Sequence, residues 1–367
     1  MAATSPLPLV GEGLARRLRV VVLPPIPWHS SPEALRHEAP DELAIMRRLP
    51  AQGVDVTVIN PLGWPWNPFA RAHQLFRGID PLRALGVLLR HRRADAVLVL
   101  FEGPALLPAL LRRATFFRPR LAMWELGLTQ GWKLRERLQQ AAIPRLDAVY
   151  VLGRNQIPAV HARWPGPAVI ALGHCIDTDF WHPLAAPDEG YVLAVGEDEG
   201  RDYDTLIRAT ALAGLPLVIR SSRHQAAPGL PMAHVRWLTE RCSFAALRDL
   251  YVRARMVAVP LHERPHAGGV TAVLEGAAMA KPMAVSASSG VLHWAVDGAT
   301  CRTAPCGDAV ALAAVLRELD GDAAQRQHLG AQARAFVDQE CAAPVFAEKL
   351  AGHLRTLCAA KEEQASF

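Results

Sequence analysis

A chain of 367 residues, 51% hydrophobic and 20% charged, exceeds one ordinary core and fits two domains of roughly 150 to 200 residues each. Its six cysteines, Cys175, Cys242, Cys301, Cys306, Cys341 and Cys358, show no CxxC or other metal-ligand spacing, which excludes a disulfide frame or zinc site and predicts reduced thiols. Met1 to Arg16 lacks a charged region followed by a long apolar run, and no uninterrupted apolar stretch reaches ~18 residues, so a cytoplasmic chain without a membrane span is expected.

The net charge of +5 is unevenly held, with 22 Lys+Arg against 12 Asp+Glu in residues 1 to 171 and 18 against 23 in the remainder. Such a basic lobe meets nucleic acid or an anionic membrane surface. No Lys/Arg-and-aromatic recognition motif or zinc-finger spacing accompanies it, so nucleic acid is set aside and the membrane surface is favoured.

Arg19 to Leu23 is a short β-branched run ending in Pro24-Pro25, which predicts a first parallel strand opening into a loop. Pro40-Asp41-Glu42 starts an amphipathic helix through Leu49, and Val54 to Ile59 supplies the next strand. Strand, helix, strand is the doubly wound pattern. The following loop sets Trp64, Trp66 and Phe69 among three prolines, as an interfacial anchor, an acceptor-binding wall, or aromatics folded under a long loop. Leu82 to Arg93 reads as a helix with an apolar face and a basic end. Ala96 to Phe101 is an apolar strand that delivers Glu102 and Gly103 at its C-terminal end. Ligands of open parallel sheets bind beyond such ends, which makes Glu102 a candidate acid or base. Leu106 to Arg120 combines leucines, two phenylalanines and Arg112, Arg113, Arg118 and Arg120. That composition suits a helix lying on anionic lipid, although a helix packed on the sheet with solvated arginines is the commoner outcome. Leu121 to Trp124, Asp147 to Leu152 and Val169 to Leu172 complete the first set of strands. Gly173 to Pro183 then reads as a hinge loop and Pro183 to Gly190 as a linker.

The pattern restarts with a strand at Tyr191 to Val195. The turn Gly196 to Leu206 opens a helix that Asp202 or Asp204 can cap. Arg201 stands at that helix mouth, either facing a diphosphate across a cleft or simply exposed. The strand Leu217 to Arg220 brings Arg220, Ser221, Ser222 and His224 to the same edge, and a helix at Phe244 to Tyr251 precedes the strand Met256 to Pro260. In His266 to Pro282, the Gly268-Gly269 turn leads into a helix whose first N–H groups and Thr271 hydroxyl form a phosphate-sized anion seat. Glu275, at i+4 from Thr271, lies on the same helix face. A carboxylate there suits ribose hydroxyls. An ordinary loop-to-helix junction would read the same way. Met283 to Val285 is a further strand, and helices are expected at Ala309 to Leu319, Ala323 to Phe336 and Val345 to Cys358.

Taken together, the order Asp147-Ala148-Val149, Gly173-His174-Cys175-Ile176-Asp177-Thr178-Asp179, Val195-Gly196, Arg201-Asp202-Tyr203, Leu250-Tyr251 and Leu274-Glu275-Gly276-Ala277-Ala278-Met279-Ala280-Lys281-Pro282 resembles glycosyltransferase family 4. The resemblance spans roughly residues 140 to 350. It implies a GT-B fold of class α/β, in which two Rossmann-like doubly wound domains face each other across a cleft. Residues 1–183 would bind the acceptor, 184–342 the nucleotide sugar, and 343–367 would form a helix crossing back to the first domain.

The resemblance further implies a hexosyltransferase-type enzyme, usually retaining and independent of a metal or resident cofactor. Its donor would be a nucleotide-diphosphate sugar and its acceptor a glycan or a lipid-linked precursor in polysaccharide assembly. The enzyme would work in the cytoplasm, or peripherally on the inner membrane face through its basic N-terminal domain. Glu275 would hold the ribose, Thr271 and the backbone of Gly268, Gly269 and Val270 would meet the diphosphate, and Arg201 would neutralise it. Arg220 and His266 complete the donor-binding set. The sequence departs from the family at three points. The first Glu of the E-x7-E motif is replaced by Ala267, Glu197 stands where many members carry arginine, and Glu102 occupies the region of a usual histidine. Those departures keep open a catalytically silent GT-B protein that binds nucleotide sugars or acts as a scaffold, and also a GT-B epimerase.

Overall fold

The computed structural model describes residues 16–25, 41–61, 79–125, 133–264 and 268–365. The aromatic loop with Trp64, Trp66 and Phe69, together with His266 and Ala267, lies outside them.

In chain order the regular elements of the first half are β1 (Leu18–Leu23), α1 (Asp41–Arg48), β2 (Val54–Val58), α2 (Pro81–Arg90), β3 (Ala96–Leu100) and α3 (Glu102–Leu111). They continue with β4 (Arg120–Glu125), α4 (Lys133–Ala142), β5 (Ala148–Val151), α5 (Ile157–Arg163) and β6 (Ala168–Ala171). The second half begins with β7 (Val192–Val195), α6 (Tyr203–Ala213), β8 (Leu217–Arg220), β9 (Val235–Leu238), α7 (Phe244–Arg253) and β10 (Met256–Val259). After them come α8 (Val270–Ala278), β11 (Met283–Ser286), β12 (Arg302–Ala304), α9 (Ala309–Gly321), α10 (Ala323–Glu340) and α11 (Ala343–Ala365).

The strands form two six-stranded sheets, ordered β2-β1-β3-β4-β5-β6 and β12-β11-β10-β7-β8-β9. Every pairing is parallel. Parallel strands covered on both faces need apolar side chains on both, so β3 (AVLVL) is buried throughout. One face of the first sheet packs on α2, α3 and α5 through Val87, Leu88, Leu106, Ala109 and Val160. The other packs on α1 and on the C-terminal helix α11, whose Phe346, Leu350 and Leu354 join Val20, Leu98 and Trp124. Phe346 stacks on Trp124 with ring centroids 5.1 Å apart. Chain leaves and re-enters side by side: the Ile176 N–H donates to the Cys341 carbonyl at 2.9 Å, and the Ala343 N–H donates to the Ile176 carbonyl at 3.0 Å.

One local expectation is corrected, and two edge strands are added. The helix expected from Leu106 to Arg120 begins at Glu102 and stops at Leu111, and the chain reverses through Phe116 at φ 52° as the Phe117 N–H returns to the Arg112 carbonyl. Glu102, read at the end of the third strand, is thus the first residue of a helix. Edge strands β9 and β12 were not legible, because β9 is only half-buried and carries Arg236 while β12 has three residues.

Each sheet reverses its strand order once, between β1 and β3 and between β7 and β10. Crevices at the carboxyl ends of strands flanking such a reversal are where open α/β sheets bind ligands. Among the described residues, no helix is long and apolar enough to cross a membrane.

Candidate functional site

The switch point of the second sheet is closed by backbone bonds between the loops that leave β7 and β10. The Asp202 N–H donates to the Pro260 carbonyl at 3.2 Å and the His262 N–H to the Gly200 carbonyl at 2.8 Å. Arg201 and Leu261 pair as an isolated antiparallel bridge between them. From β11, the Ser286 hydroxyl accepts the Leu261 N–H at 3.0 Å. These bonds set Arg201 and the start of α8 on one floor.

Asp202, rather than Asp204, caps α6 by accepting the Thr205 N–H at 3.1 Å. Arg201 is turned inward, 6% exposed, and its Nε donates to Asp198 Oδ2 at 2.7 Å. Its guanidinium lies directly over Gly196, where any Cβ would overlap it. Gly196 also has φ +154°, a backbone setting that favours glycine. Arg201 Nη1 is buried without a hydrogen-bond partner among the described residues. Such an orphaned charged donor costs about 1–3 kcal/mol or more, and an anion in the crevice would remove that cost.

Gly269 ends the β10 loop at φ +86° and serves as the N-cap of α8, with no side chain among the described residues capping the helix. A Cβ at Gly269 would come within 2.9 Å of Leu261 Cδ2, so the close approach of loop to helix depends on its absence. Val270 is buried and Thr271 is exposed at the first turn. Thr271 Oγ1 lies 3.5 Å from Nε2 of His174, a residue read from sequence only as part of the hinge loop. Burial pushes the His174 imidazole down to about 4, so it is neutral near pH 7, and its Nδ1 has no partner among the described residues. His174 thus stands where the hinge meets the start of α8. In the sequence its one signal was its place inside the Gly-His-Cys-Ile-Asp run.

One turn further along α8, Glu275 is buried, 4% exposed. The Tyr251 hydroxyl donates to its Oε2 at 2.6 Å, while Oε1 has no hydrogen-bond partner among the described residues. Burial raises the Glu275 carboxyl to about 7, against the opposing effects of the Tyr251 hydrogen bond and the nearby Arg201 charge. Sequence reasoning placed Tyr251 at a helix end without assigning it to the site.

The remaining predicted residues are placed differently. Arg220 Nη1 donates to Glu197 Oε1 at 2.9 Å, so the cation expected to face a donor is matched by a carboxylate. Glu197 also accepts the N–H groups of Ser222 at 2.8 Å and Arg223 at 3.0 Å, fastening the β8 loop. Burial pushes the Glu197 carboxyl up, but the hydrogen bonds from Ser222, Arg220 and Arg223 outweigh it and hold the group below its usual range.

Glu102 follows β3 at its carboxyl end, beside the first switch point, but it is buried. Phe101 turns at φ 65°, and Glu102 folds inward to accept Arg135 Nη2 at 2.6 Å and Gln139 Nε2 at 3.3 Å. Both members of the ion pair are buried, and the pair ties α3 to α4. Among the described residues, no cluster of three His, Cys, Asp or Glu is arranged to hold a metal ion.

Two doubly wound parallel sheets, each with a switch point, and a terminal helix returned to the first sheet define the GT-B architecture. Solved structures with this fold superpose on the chain at length. Sucrose-phosphate synthase from Thermosynechococcus elongatus does so with a TM-score of 0.72 and 16% identity, over 94% of this chain and 100% of its own. A glycosyltransferase from Rickettsia africae matches with a TM-score of 0.66 and 12% identity, over 94% and 99% of the two chains. Anabaena HepE, solved with UDP, matches at 0.67 and 13% identity over 92% and 100%. No family model and no curated protein matches the sequence.

Proposed function

We propose that the chain is a hexosyl-type glycosyltransferase that moves a sugar from a nucleotide-diphosphate donor to a glycan or lipid-linked acceptor. The observation that carries this reading is the convergence, at one switch point, of a helix start at Gly269-Val270-Thr271 and a buried guanidinium nitrogen, neither of them capped or paired by a side chain among the described residues. Both suit a diphosphate. Glu275, with one oxygen held by Tyr251 and the other unbonded among the described residues, is placed one turn behind them to accept ribose hydroxyls. HepE, an enzyme of the same fold, has been solved with UDP and with UDP-glucose.

In this mechanism the negative charge that develops on the departing nucleoside diphosphate is met by Arg201 and by the first N–H groups of α8. Such preorganised donors act where charge grows in the transition state, and the protein groups themselves supply the stabilisation usually sought from a metal. The excess of Lys and Arg in the first domain supports a peripheral position on the inner face of the membrane.

A second reading, a silent GT-B nucleotide-sugar-binding protein, draws on the Glu197–Arg220 ion pair, which removes one cation from the donor edge. Release of free nucleoside diphosphate from several nucleotide sugars separates the two. Slow release that Glu275→Ala abolishes supports the transferase. Tight binding without turnover on any acceptor supports the silent protein and would overturn the first reading.

A further inference from the structure

Helix α2 is apolar on two faces. Ala84, Val87 and Leu88 pack inward, whereas Leu82, Leu85 and Leu89 are 45%, 45% and 51% exposed. The three leucines stand at i, i+3 and i+7, which aligns them on one side of a helix. Between them Gly86 opens onto empty space, with nothing within 4 Å of where its Cβ would be. Among the described residues, neither hydrophobic core of the first domain includes this outer stripe.

Its surroundings are basic. Helices α2 and α3 pack against each other, and both are crossovers between parallel strands of one sheet, so they run in the same direction and end at the same sheet edge. That edge carries Arg90 at the end of α2 with Arg92 and Arg93 after it, and Leu111 at the end of α3 with Arg113, Phe116 and Arg118 after it. Phe116 is 83% exposed, held outward by its φ of 52°. Residues 81 to 118 contain two carboxylates, Asp95 and Glu102. Asp95 is bonded by Arg16 and the Arg19 N–H, and Glu102 is buried against Arg135. Arg90, Arg93 and Arg113 have no ion-pair partner among the described residues. An exposed aromatic, a leucine stripe and Arg90, Arg93 and Arg113, which face no carboxylate among the described residues, compose a surface complementary to anionic headgroups over an acyl layer.

We propose that this face, the outer stripe of α2 with the Phe116 turn and the arginines of their shared edge, docks the protein onto an anionic lipid bilayer. A second copy of the chain is disfavoured as its occupant, because a symmetric contact would bring arginine against arginine. The proposal rests on the peripheral reading of the enzyme and gives that reading a surface.

The test is co-sedimentation of the full-length chain with vesicles of phosphatidylcholine alone or mixed with phosphatidylglycerol, at low and high salt. Binding to the phosphatidylglycerol vesicles is expected, and it should weaken as the screening length shrinks from about 10 Å at 0.1 M to about 3 Å at 1 M. The triple variant Arg90→Glu/Arg93→Glu/Arg113→Glu should lose about fivefold in partition for each arginine removed, together with the salt dependence. Leu85→Ser/Leu89→Ser/Phe116→Ser should lose roughly tenfold while retaining salt dependence. All six side chains are exposed, so both variants should melt with the wild type. Equal binding to neutral vesicles at every ionic strength, no binding to anionic vesicles, or binding unchanged by both variants would overturn the proposal. So would a wild-type dimer in light scattering that the leucine variant dissolves, or an acidic protein partner that competes for the face while vesicles do not. Because the readout is lipid partition, its failure leaves donor turnover untouched, and a silent donor site leaves the lipid result standing.

Discussion

The Tyr251 hydroxyl donates to Glu275 Oε2 at 2.6 Å, and both side chains are buried. The two residues are 24 positions apart, on α7 and α8. Burial and the adjoining carboxylate raise the Tyr251 phenol well above its ordinary range, so the proton stays on the phenol and the bond keeps one polarity. Removing that donor leaves a buried carboxylate oxygen unsatisfied, which costs about 1–3 kcal/mol. Tyr251→Phe is therefore expected to lower the unfolding free energy by that amount, read as a lower urea midpoint at unchanged m. It should also push the Glu275 carboxyl above about 7, since the lost hydrogen bond was lowering it. Unchanged stability would mean that the pair does not hold Glu275.

Glu275 and His174 give stability opposite dependences on pH. Glu275 has a folded value raised from 4.5 to about 7. Between these values the unfolded chain releases the proton that the folded one keeps, so stability falls as pH rises through that window. His174 has a folded value lowered from 6.5 to about 4. Between these values the unfolded chain binds a proton that the folded one refuses, so stability rises with pH. Each contribution is on the order of 3 kcal/mol across its window. Chemical denaturation across pH 4 to 7 should show the two largely cancelling in the wild type. Glu275→Gln should expose a rise with pH and His174→Asn a fall. Slopes of the reverse sign would sink the assignment.

Gly196 is required by its neighbour. A methyl group there overlaps the Arg201 guanidinium, and φ +154° is strained for any other residue. Gly196→Ala is expected to cost about 1–3 kcal/mol. If Arg201 meets a diphosphate, nucleotide affinity should fall by roughly tenfold or more, the scale of losing one charge-assisted hydrogen bond. Isothermal titration with UDP and other nucleoside diphosphates measures this, and a loss of stability with intact affinity would separate Arg201 from the ligand.

Glu102 is expected to behave as a structural partner. Truncating one side of a buried ion pair costs about 3–5 kcal/mol, while replacing both sides by apolar groups is often close to neutral. Glu102→Ala should therefore be severely destabilised, and Glu102→Leu/Arg135→Leu should recover much of the loss in thermal melts. A stable Glu102→Gln variant that has lost sugar transfer would instead restore the acid or base role expected from its position after β3.

Much of the fold was legible because parallel α/β sheets write themselves plainly. Strands buried on both faces, such as β3, appear as continuous apolar runs. The alternation with helices marked two doubly wound halves, and the Gly268-Gly269 turn marked the start of α8. Weak signals failed where burial was partial, as in β9 and β12. The boundary of α3 was misjudged for a different reason: Phe101 takes a positive φ that only its surroundings impose.

The sequence by itself determined two doubly wound halves, a helix cap at Asp202 or Asp204, and Thr271 and Glu275 within one turn of each other on a helix, because strand alternation, capping chemistry and helical period are local properties. Tertiary structure alone decided what those side chains face. It turned Arg201 over Gly196, matched Arg220 with Glu197, buried Glu102 against Arg135, and brought His174 to Thr271 across 97 positions of chain. Charge pairing and burial depend on which segments the fold packs together, and local sequence carries no record of those distant neighbours.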